Sequence, residues 1–504
     1  MKLFGIETEF GITREDISEV DQVVESMELV RAYLNKPFRQ EWDYTSEDPR
    51  QDARGFRADS LAQDEEESAF EKADRKRPFS FHEMKSDLAL TNGARFYNDH
   101  THPEYSTPEC RSLRELIIHD KAGERILQEC ANRRNVVLGG PHVQLYKNNT
   151  DFHGHSYGCH DNYLLPRSIP FNQISRGLIP FLVTRQIFAG AGKIGIEYSG
   201  DLKRGHFQLS QRADFIEVEQ SVDTMDRRPI LNTRDEPHAD PSQFRRLHQI
   251  LGDSNLSETS TALKVGTTWL TLRLIEEGAL PEYALLEHPV STLHEVSLDP
   301  TCKKPIRLLN GQMISPIDHQ RIYLDTAIKA FGTETDWDIQ WILKNWEEVL
   351  NDLEKDPQLL INRLDWVAKK WLMETFVDAE GAGWDDARLM AIDLEYHNIN
   401  PDRGLFIAME MNGTMNRLTT ESEIKEAIYS PPSDTRAAIR GLCVDRFHEQ
   451  IHRIQWERII FNKGFFKKEL DMSHLFDPEK ILALQAQLKG ITDISQFFSK
   501  GEHK

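Results

Sequence analysis

Between Arg95 and Asp99 the chain places ionisable residues at every second position, and this alternation restricts the fold more than any other feature. In an extended strand Arg95, Tyr97 and Asp99 share one face, while Phe96 points to the other. A cation, a phenol and a carboxylate in a row, followed by Glu104 within His102-Pro-Glu-Tyr-Ser-Thr107, suit the floor of a site. Such a floor could hold phosphate, metal and an attacking group; plain edge charges are the alternative that the segment alone leaves open. Leu3 to Thr13 repeats the pattern, with Glu7 and Glu9 on one face and Phe4, Ile6 and Phe10 on the other. Two carboxylates at that spacing repel each other unless a cation lies between them, which favours ligation of a divalent metal. Hard oxygen ligands suit magnesium or manganese.

A chain of 504 residues is long for one hydrophobic core, so one large domain and a smaller one are expected. The net charge of −21 argues against a dedicated nucleic-acid binder, which needs a basic footprint, but allows local basic pockets. Cys110, Cys130, Cys159, Cys302 and Cys443 are scattered without a C-x-x-C pair, which points to a reducing compartment. The start enters a strand with no leader-like apolar region, and no apolar run approaches the roughly 20 residues a membrane helix needs. A soluble, cytoplasmic protein with no membrane partner is expected.

Apolar spacing predicts a helix from Asp16 to about Leu34, then a segment of different character from Arg39 to Arg77. Its first half carries Trp42, Tyr44, Arg54 and Phe56, anchors that a linker would not need, and is read as a loop docked near the site. Its second half, with the acidic run Asp64 to Glu67, reads as mobile. Leu113 to Cys130 reads as helix and Val136 to Tyr146 as strand. Lys147 to Asp151 and His155 to Tyr163 then read as a ligand-lining loop, in which His160 is more simply structural.

Ala189-Gly-Ala-Gly-Lys-Ile-Gly195 lacks the spacing and the hydroxyl residue of a phosphate loop and reads as a turn. His206 to Arg212 alternates as a polar-faced strand that could line a cleft. Asn232-Thr-Arg-Asp-Glu-Pro-His238 is a second polar loop. There Arg234 could hold a phosphate or carboxylate, and His238 could ligate a metal. Arg245, Arg246 and His248 are placed on a helix beginning there. Ser257 to Glu277 and Asp318 to Leu353 read as helical, with Trp337, Trp341 and Trp346 as packing residues. Pro431-Pro432 marks a boundary, giving domains 1–430 and 431–504, the smaller one containing Trp456. Together these features suit nucleotide-phosphate binding through a divalent metal, with chemistry on a carboxylate or amide.

Several longer motifs resemble one family. They are Gly5-Ile-Glu-Thr-Glu-Phe-Gly11, Asn92-Gly-Ala-Arg-Phe-Tyr97, His102-Pro-Glu-Tyr105, Lys147-Asn-Asn-Thr-Asp151, Tyr157-Gly-Cys-His-Asp-Asn-Tyr163, Leu209-Ser-Gln-Arg212 and Asn232-Thr-Arg-Asp-Glu-Pro-His238. The family is that of the Pup ligases and the sister Pup deamidases/depupylases. The resemblance implies an α+β fold like glutamine synthetase: a curved antiparallel sheet cradle backed by helices, with a small C-terminal domain. Bound ATP and magnesium (Mg2+) are implied, with Pup or a Pup-like modifier and pupylated proteins as partners. Matched residue by residue, Glu7, Tyr97 and Glu104 correspond to magnesium ligands and Asp99 to the catalytic aspartate. Arg95, Thr107 and Trp456 correspond to ATP contacts; Glu9 and His238 are further metal candidates.

The insertion Trp42-Asp-Tyr…Asp52-Ala-Arg-Gly-Phe56 resembles a loop of the deamidase/depupylase branch. Glu9-Phe-Gly, Phe181-Leu-Val-Thr-Arg-Gln186, Tyr157-Gly-Cys-His and Gly252-Asp-Ser-Asn-Leu-Ser-Glu258 look more like the ligase. Because a whole loop at a site alters chemistry more than conservative replacements do, the expected activity is hydrolysis of Pup's terminal side-chain amide and of the Pup–lysine isopeptide. Ligation of Pup's terminal glutamate to lysines is the alternative.

Overall fold

The structure is a computed structural model. It describes residues 2–15, 17, 20–35, 42–62, 72–140, 142–197, 202–463 and 466–499, so the expectation of mobility for Asp64 to Glu67 lies outside the described residues.

The alternating stretches become neighbouring strands. Six strands, β1 (Phe4–Glu9), β2 (Leu88–Ala89), β3 (Arg95–Asp99), β4 (His102–Ser106), β5 (Cys159–Pro166) and β6 (Phe244–Gln249), form one sheet in the order β6-β5-β1-β4-β3-β2. Every pairing is antiparallel. Because side chains alternate along each strand, the register sorts the sheet into two faces. Phe4, Ile6, Phe96, Tyr105 and Leu247 fall on the buried face and join the apolar core. Each such side chain, once buried, contributes about 1.5–3 kcal/mol.

Helices back that face. The principal ones are α1 (Gln22–Arg31), α2 (Leu113–Leu138), α3 (Phe171–Ala189), α4 (Glu258–Glu276), α5 (Pro316–Phe331) and α6 (Trp337–Lys355). Their starts are written in the sequence: Asp21, Ser112, Ser257, Ser315 and Asp336 each cap a free N–H of the first turn. Leu178, Leu182, Leu263, Leu270, Leu324 and Trp346 bury against one another behind the sheet. A separate apolar cluster lies in the C-terminal part, where Ile439, Cys443 and Phe447 of α7 (Ala437–Phe447) meet Ile459, Phe461 and Leu488. Trp42, far away in sequence, belongs to the same cluster.

One turn fixes α7 on the sheet. Gly93 has φ +79°, and a Cβ there would lie 2.7 Å from the Ala437 carbonyl, so Asn92-Gly93 permits the close approach. Arg440 donates to the Gly93 carbonyl at 2.6 Å and pairs with Glu109 at 2.5 Å, while Arg436 holds the other Glu109 oxygen at 2.7 Å. Burial would raise the Glu109 carboxyl, but the two guanidinium groups outweigh it and bring it down to about 2. A depressed carboxyl stabilises the fold above its unfolded value and loses that contribution as pH falls toward 2. Glu109→Gln is therefore expected to cost about 3 kcal/mol at neutral pH. Melting curves should show the gap between wild type and variant closing between about pH 4.5 and pH 2.

Four segments differ from the sequence reading. Cys159 to Tyr163, read as part of a ligand-lining loop, opens strand β5 inside the sheet. The α2 helix runs on to Leu138 and the following strand is only Val143–Tyr146. The β-branched pair Val136-Val137 suggested strand, yet both are solvent-exposed on the last helical turn, which Gly139 closes at φ +68°. The strand at His206 stops at Gln208 and pairs outside the cradle with Lys193–Ile196. Ser210, Gln211 and Arg212 instead turn inward around the buried Asp253 carboxylate. Finally, Arg245, Arg246 and His248 lie on β6 and not on a helix. With arginines flanking both faces of β6, the strand carries no apolar period to read. Of the three tryptophans around α6, Trp346 is fully buried, whereas Trp337 is 58% exposed.

Candidate functional site

The other face of the sheet carries the ionisable residues. Cross-strand register sets Arg95 beside Ser106 and Ser106 beside Glu7, then Tyr97 beside Glu104 and Glu104 beside Glu9. Glu7 continues the row to His160 on β5, and Asn162 to His248 on β6. Two groups of potential ligands result, each with atoms within 4.8 Å: Glu9, Asp99 and Glu104, and Glu7, His160 and His248.

Asp99 sits at the open end of β3. Its carboxylate meets Lys85 Nζ at 2.5 Å and His100 Nδ1 at 3.4 Å. Burial would raise its pKa, but those two cations outweigh burial and hold it well below the usual carboxylate range. Asp99 in turn raises His100 above an ordinary histidine. Glu7 is likewise held low: burial opposes ionisation, but hydrogen bonds from His160 and His248 and the charge of Arg246, at 3.2 Å, prevail. Burial keeps His248 neutral, down to about 3. Glu9 accepts the Gly158 N–H at 2.9 Å and faces His102 at 3.5 Å.

Glu104 is the exception. It is 2% exposed, and its Oε1 has no hydrogen-bond partner. Burial, with Asp99, Glu7 and Glu9 nearby, pushes its carboxyl well above the normal range. Tyr97 is raised well above an ordinary phenol by burial and by Glu104. A buried carboxylate among carboxylates, with an oxygen left over, is the electrostatic imbalance that a hard divalent cation corrects.

Arg95 is built into a box. Its guanidinium lies 4.1 Å from the Trp42 ring centre and 3.8 Å from that of Tyr97, and it pairs with Asp87 at 2.5 Å. Tyr44 Oη accepts from it at 2.8 Å. Trp42 and Tyr44 come from the inserted segment, whose described first half is thus docked at the site. Trp42 also meets the edge of Trp456 at 5.5 Å and bridges to Ile454.

Beside the carboxylates lies an open cavity lined by Gly5, Glu7, Thr107, Glu109, His238 and Trp456 among others. Thr107 Oγ1 accepts the Ile6 N–H at 3.0 Å, leaving its own hydrogen free to donate. His238, at φ +49°, faces Glu457 at 3.9 Å and is kept neutral by burial. The nine residues singled out from the sequence therefore fall into three places. Glu7, Glu9, Tyr97, Glu104 and Asp99 share the sheet face; Thr107, Trp456 and His238 line the cavity, with Glu7 at its edge; and Arg95 is enclosed between the two. His238 belongs to neither ligand group. His160, His248, Lys85 and His100 were missed as site residues. For His160 and His248 the signal, available only once β5 and β6 are taken as strands, is the i, i+2 spacing of His160 with Asn162 and of Arg246 with His248; Lys85 and His100 belong to no such period.

Residues 2–460 match the family model described as Pup-ligase protein. The chain is 45% identical over 470 residues, 92% of it and 91% of the relative, to a depupylase of Acidothermus cellulolyticus. It is 42% identical to a Pup–protein ligase of Paenarthrobacter aurescens, over 75% of this chain and 84% of the ligase. Among solved structures, the complex of Pup with its ligase PafA aligns at TM-score 0.77 with 31% identity, covering 99% of this chain and 93% of that one. PafA in complex with ADP aligns at TM-score 0.73 with 32% identity, covering 86% and 97% respectively. Among the described residues, no helix is long and apolar enough to cross a membrane.

Proposed function

The chain belongs to the Pup-ligase family, and on that premise we propose that it is a Pup deamidase/depupylase, hydrolysing the terminal side-chain amide of Pup and the Pup–lysine isopeptide. One observation carries hydrolase over ligase: the depupylase relative aligns over 92% of the chain, the ligase over 75% at nearly the same identity. The docked segment around Trp42 and Asp52 supports the same choice.

In this reading Asp99 carries the chemistry. Lys85 and His100 keep it ionised at neutral pH. It acts on the carbonyl carbon either directly, as nucleophile, or as the base that takes a proton from water. Either route adds one water across the C–N bond, leaving a carboxylate on Pup and releasing ammonia or the lysine amine. His100, protonated more readily beside Asp99, supplies the leaving nitrogen's proton. The sheet face itself suits either direction of the reaction.

The cavity between Thr107 and Trp456 takes the adenine nucleotide, with Arg95 behind it. Glu9 and Glu104, grouped with Asp99 and flanked by Tyr97, and Glu7, grouped with His160 and His248, would hold magnesium, as the partnerless Glu104 oxygen indicates. His238, set apart beside Glu457, would reach only a metal on the nucleotide side. When bound, magnesium would offset the charge of the carboxylates and of the nucleotide's phosphates and would polarise the scissile carbonyl. Residues 431–504 act as a small domain closing the nucleotide cavity through Trp456. Five free, buried cysteines accord with work in the cytoplasm.

Glu104→Gln should raise the melting temperature of the metal-free protein at neutral pH, because it removes a carboxyl whose ionisation is opposed in the folded state by burial and the neighbouring carboxylates. The same variant should lose the further rise that magnesium gives the wild type. Scanning fluorimetry in EDTA and in magnesium reads both; a magnesium response equal to wild type would take Glu104 out of the metal site. The function itself is tested by supplying Pup ending in glutamine with ATP and magnesium. Conversion to the glutamate form with release of ammonia is expected. Inert Pup-Gln, together with conjugation of Pup-Glu to a target protein, would establish a ligase.

A further inference from the structure

We infer that Arg234 binds the free α-carboxylate of Pup's terminal residue, and that Asp52 of the inserted segment is the positioning residue that holds Arg234 in place. The inference rests on the hydrolase reading above, in which the scissile bond lies on the terminal residue's side chain. A residue attached through its side chain keeps its α-carboxylate. That charge must enter a face already bearing Glu7, Glu9, Asp99 and Glu104, so a cation has to meet it.

The neighbouring cations are committed elsewhere. Lys85 is paired with Asp99, Arg95 with Asp87, Arg246 with Glu7, and Arg436 and Arg440 with Glu109. Arg212 shares an open Nε and, among the described residues, the lack of a carboxylate partner, but it is 2% exposed and both of its Nη atoms are spent on Ser156 Oγ and on the Tyr157 and Ile250 carbonyls. Arg234 differs. Among the described residues it has no carboxylate within 4 Å, its Nη2 donates to Thr224 Oγ1 at 3.3 Å, and its buried Nε has no partner. Two residues on, the Glu236 carbonyl accepts from Arg246 Nε at 2.9 Å, Arg246 pairs with Glu7 at 3.2 Å, and Pro237 and His238 line the cavity with Glu7, so this loop borders the reacting face. A guanidinium with open donors is the group that takes a carboxylate through paired hydrogen bonds.

Its position is set from the insertion. Asp52, 1% exposed, forms an antiparallel bridge with Arg234. The Ala53 N–H donates to the Thr233 carbonyl at 2.8 Å and the Asp235 N–H to the Gln51 carbonyl at 2.8 Å. Thr233 Oγ1 donates to Asp52 Oδ2 at 2.6 Å, and Arg54 Nη2 holds the same oxygen at 2.7 Å. On the far side Arg167 pins Asp235 through both of its carboxylate oxygens, at 2.8 and 2.9 Å. Arg234 is thus clamped on both sides, and one side of the clamp is the segment that resembles the depupylase branch.

Two conjugates test this. Each joins Pup through its terminal side-chain carbonyl to a fluorescent lysine peptide; one has the α-carboxylate free, the other has it capped as the carboxamide. With the full chain, ATP and magnesium, the wild type should release peptide from the free form with kcat/KM about ten- to a hundredfold above the capped form. Arg234→Gln should lower the free form to the capped level and leave the capped rate unchanged, and Arg234→Lys should restore part of the preference. Asp52→Asn should shrink the preference while nucleotide affinity stays at wild type, a pattern that simple loss of stability does not give. Equal wild-type rates on the two conjugates would overturn the inference, as would an Arg234→Gln loss of equal size on both. Release from neither conjugate by the wild type would overturn the hydrolase reading itself, and the inference with it.

Discussion

Asp99→Asn is expected to reduce depupylation by about 10³-fold or more, with nucleotide binding retained. The substitution keeps shape and hydrogen-bonding reach but removes the negative charge that either role requires. An amide oxygen is a poor nucleophile and cannot take a proton from water. It also leaves Lys85 without its 2.5 Å partner and removes the main cause of the raised His100. The pH–rate profile should therefore flatten on its histidine limb along with the loss of rate. Product release measured by gel and ADP binding measured by calorimetry separate catalysis from folding. Activity within tenfold of wild type would place the chemistry on another residue.

Trp42→Ala should destabilise the protein by about 3–5 kcal/mol and weaken the nucleotide with it. The indole is 1% exposed, sits against Arg95 and Trp456, and donates through Nε1 to Glu47 at 3.0 Å. Removing it empties the junction between sheet and C-terminal part and frees Arg95 on the Trp42 side. Trp42→Phe, which keeps an aromatic face over Arg95, should recover most of both losses. Denaturation midpoints with and without ADP check the pair of effects. An alanine variant with wild-type stability would mean that the insertion is not anchored through this residue.

These two residues also show how legible the chain is. Asp99 could be placed from period alone, since Arg95, Tyr97 and Asp99 alternate with Phe96 and the opposite face is apolar. Glu7 and Glu9 follow from the same rule. Trp42 and Tyr44 could be read as anchors because a solvated linker has no use for them, although their target, Arg95, could not be named. Reading failed where both faces of a strand are polar. Arg245, Arg246 and His248 bury charge against both sides of β6, so alternation of polarity disappears and a helix reads equally well. That error removed His248 from the site, and with it the reason to promote His160. Ser210 to Arg212 failed in the opposite way: alternation was present, but the buried Asp253 gathers consecutive backbone N–H groups and turns the chain inward. Local pattern reports which face is wet; it does not report a tertiary carboxylate waiting for partners.

The glycine at 93 and the arginine at 440 make a related point. Neither belongs to a pattern with a period, yet together with Glu109 they fix the C-terminal helix on the turn that precedes β3. The cavity proposed for the nucleotide depends on that attachment, because Trp456 follows α7 and lines it together with Gly5 and Thr107.

Adding water across the C–N bond needs no phosphoryl transfer, so the proposed hydrolysis requires nucleotide to be bound but not consumed in step with product, and stoichiometry tests that central claim most directly. Purified pupylated substrate is incubated with the protein, ATP and magnesium, and released target and ADP are quantified in the same sample. The account predicts many molecules of free target and of Pup ending in glutamate for each ADP formed. One ADP per bond processed, or ADP formation accompanied by new Pup–target conjugate, would contradict it.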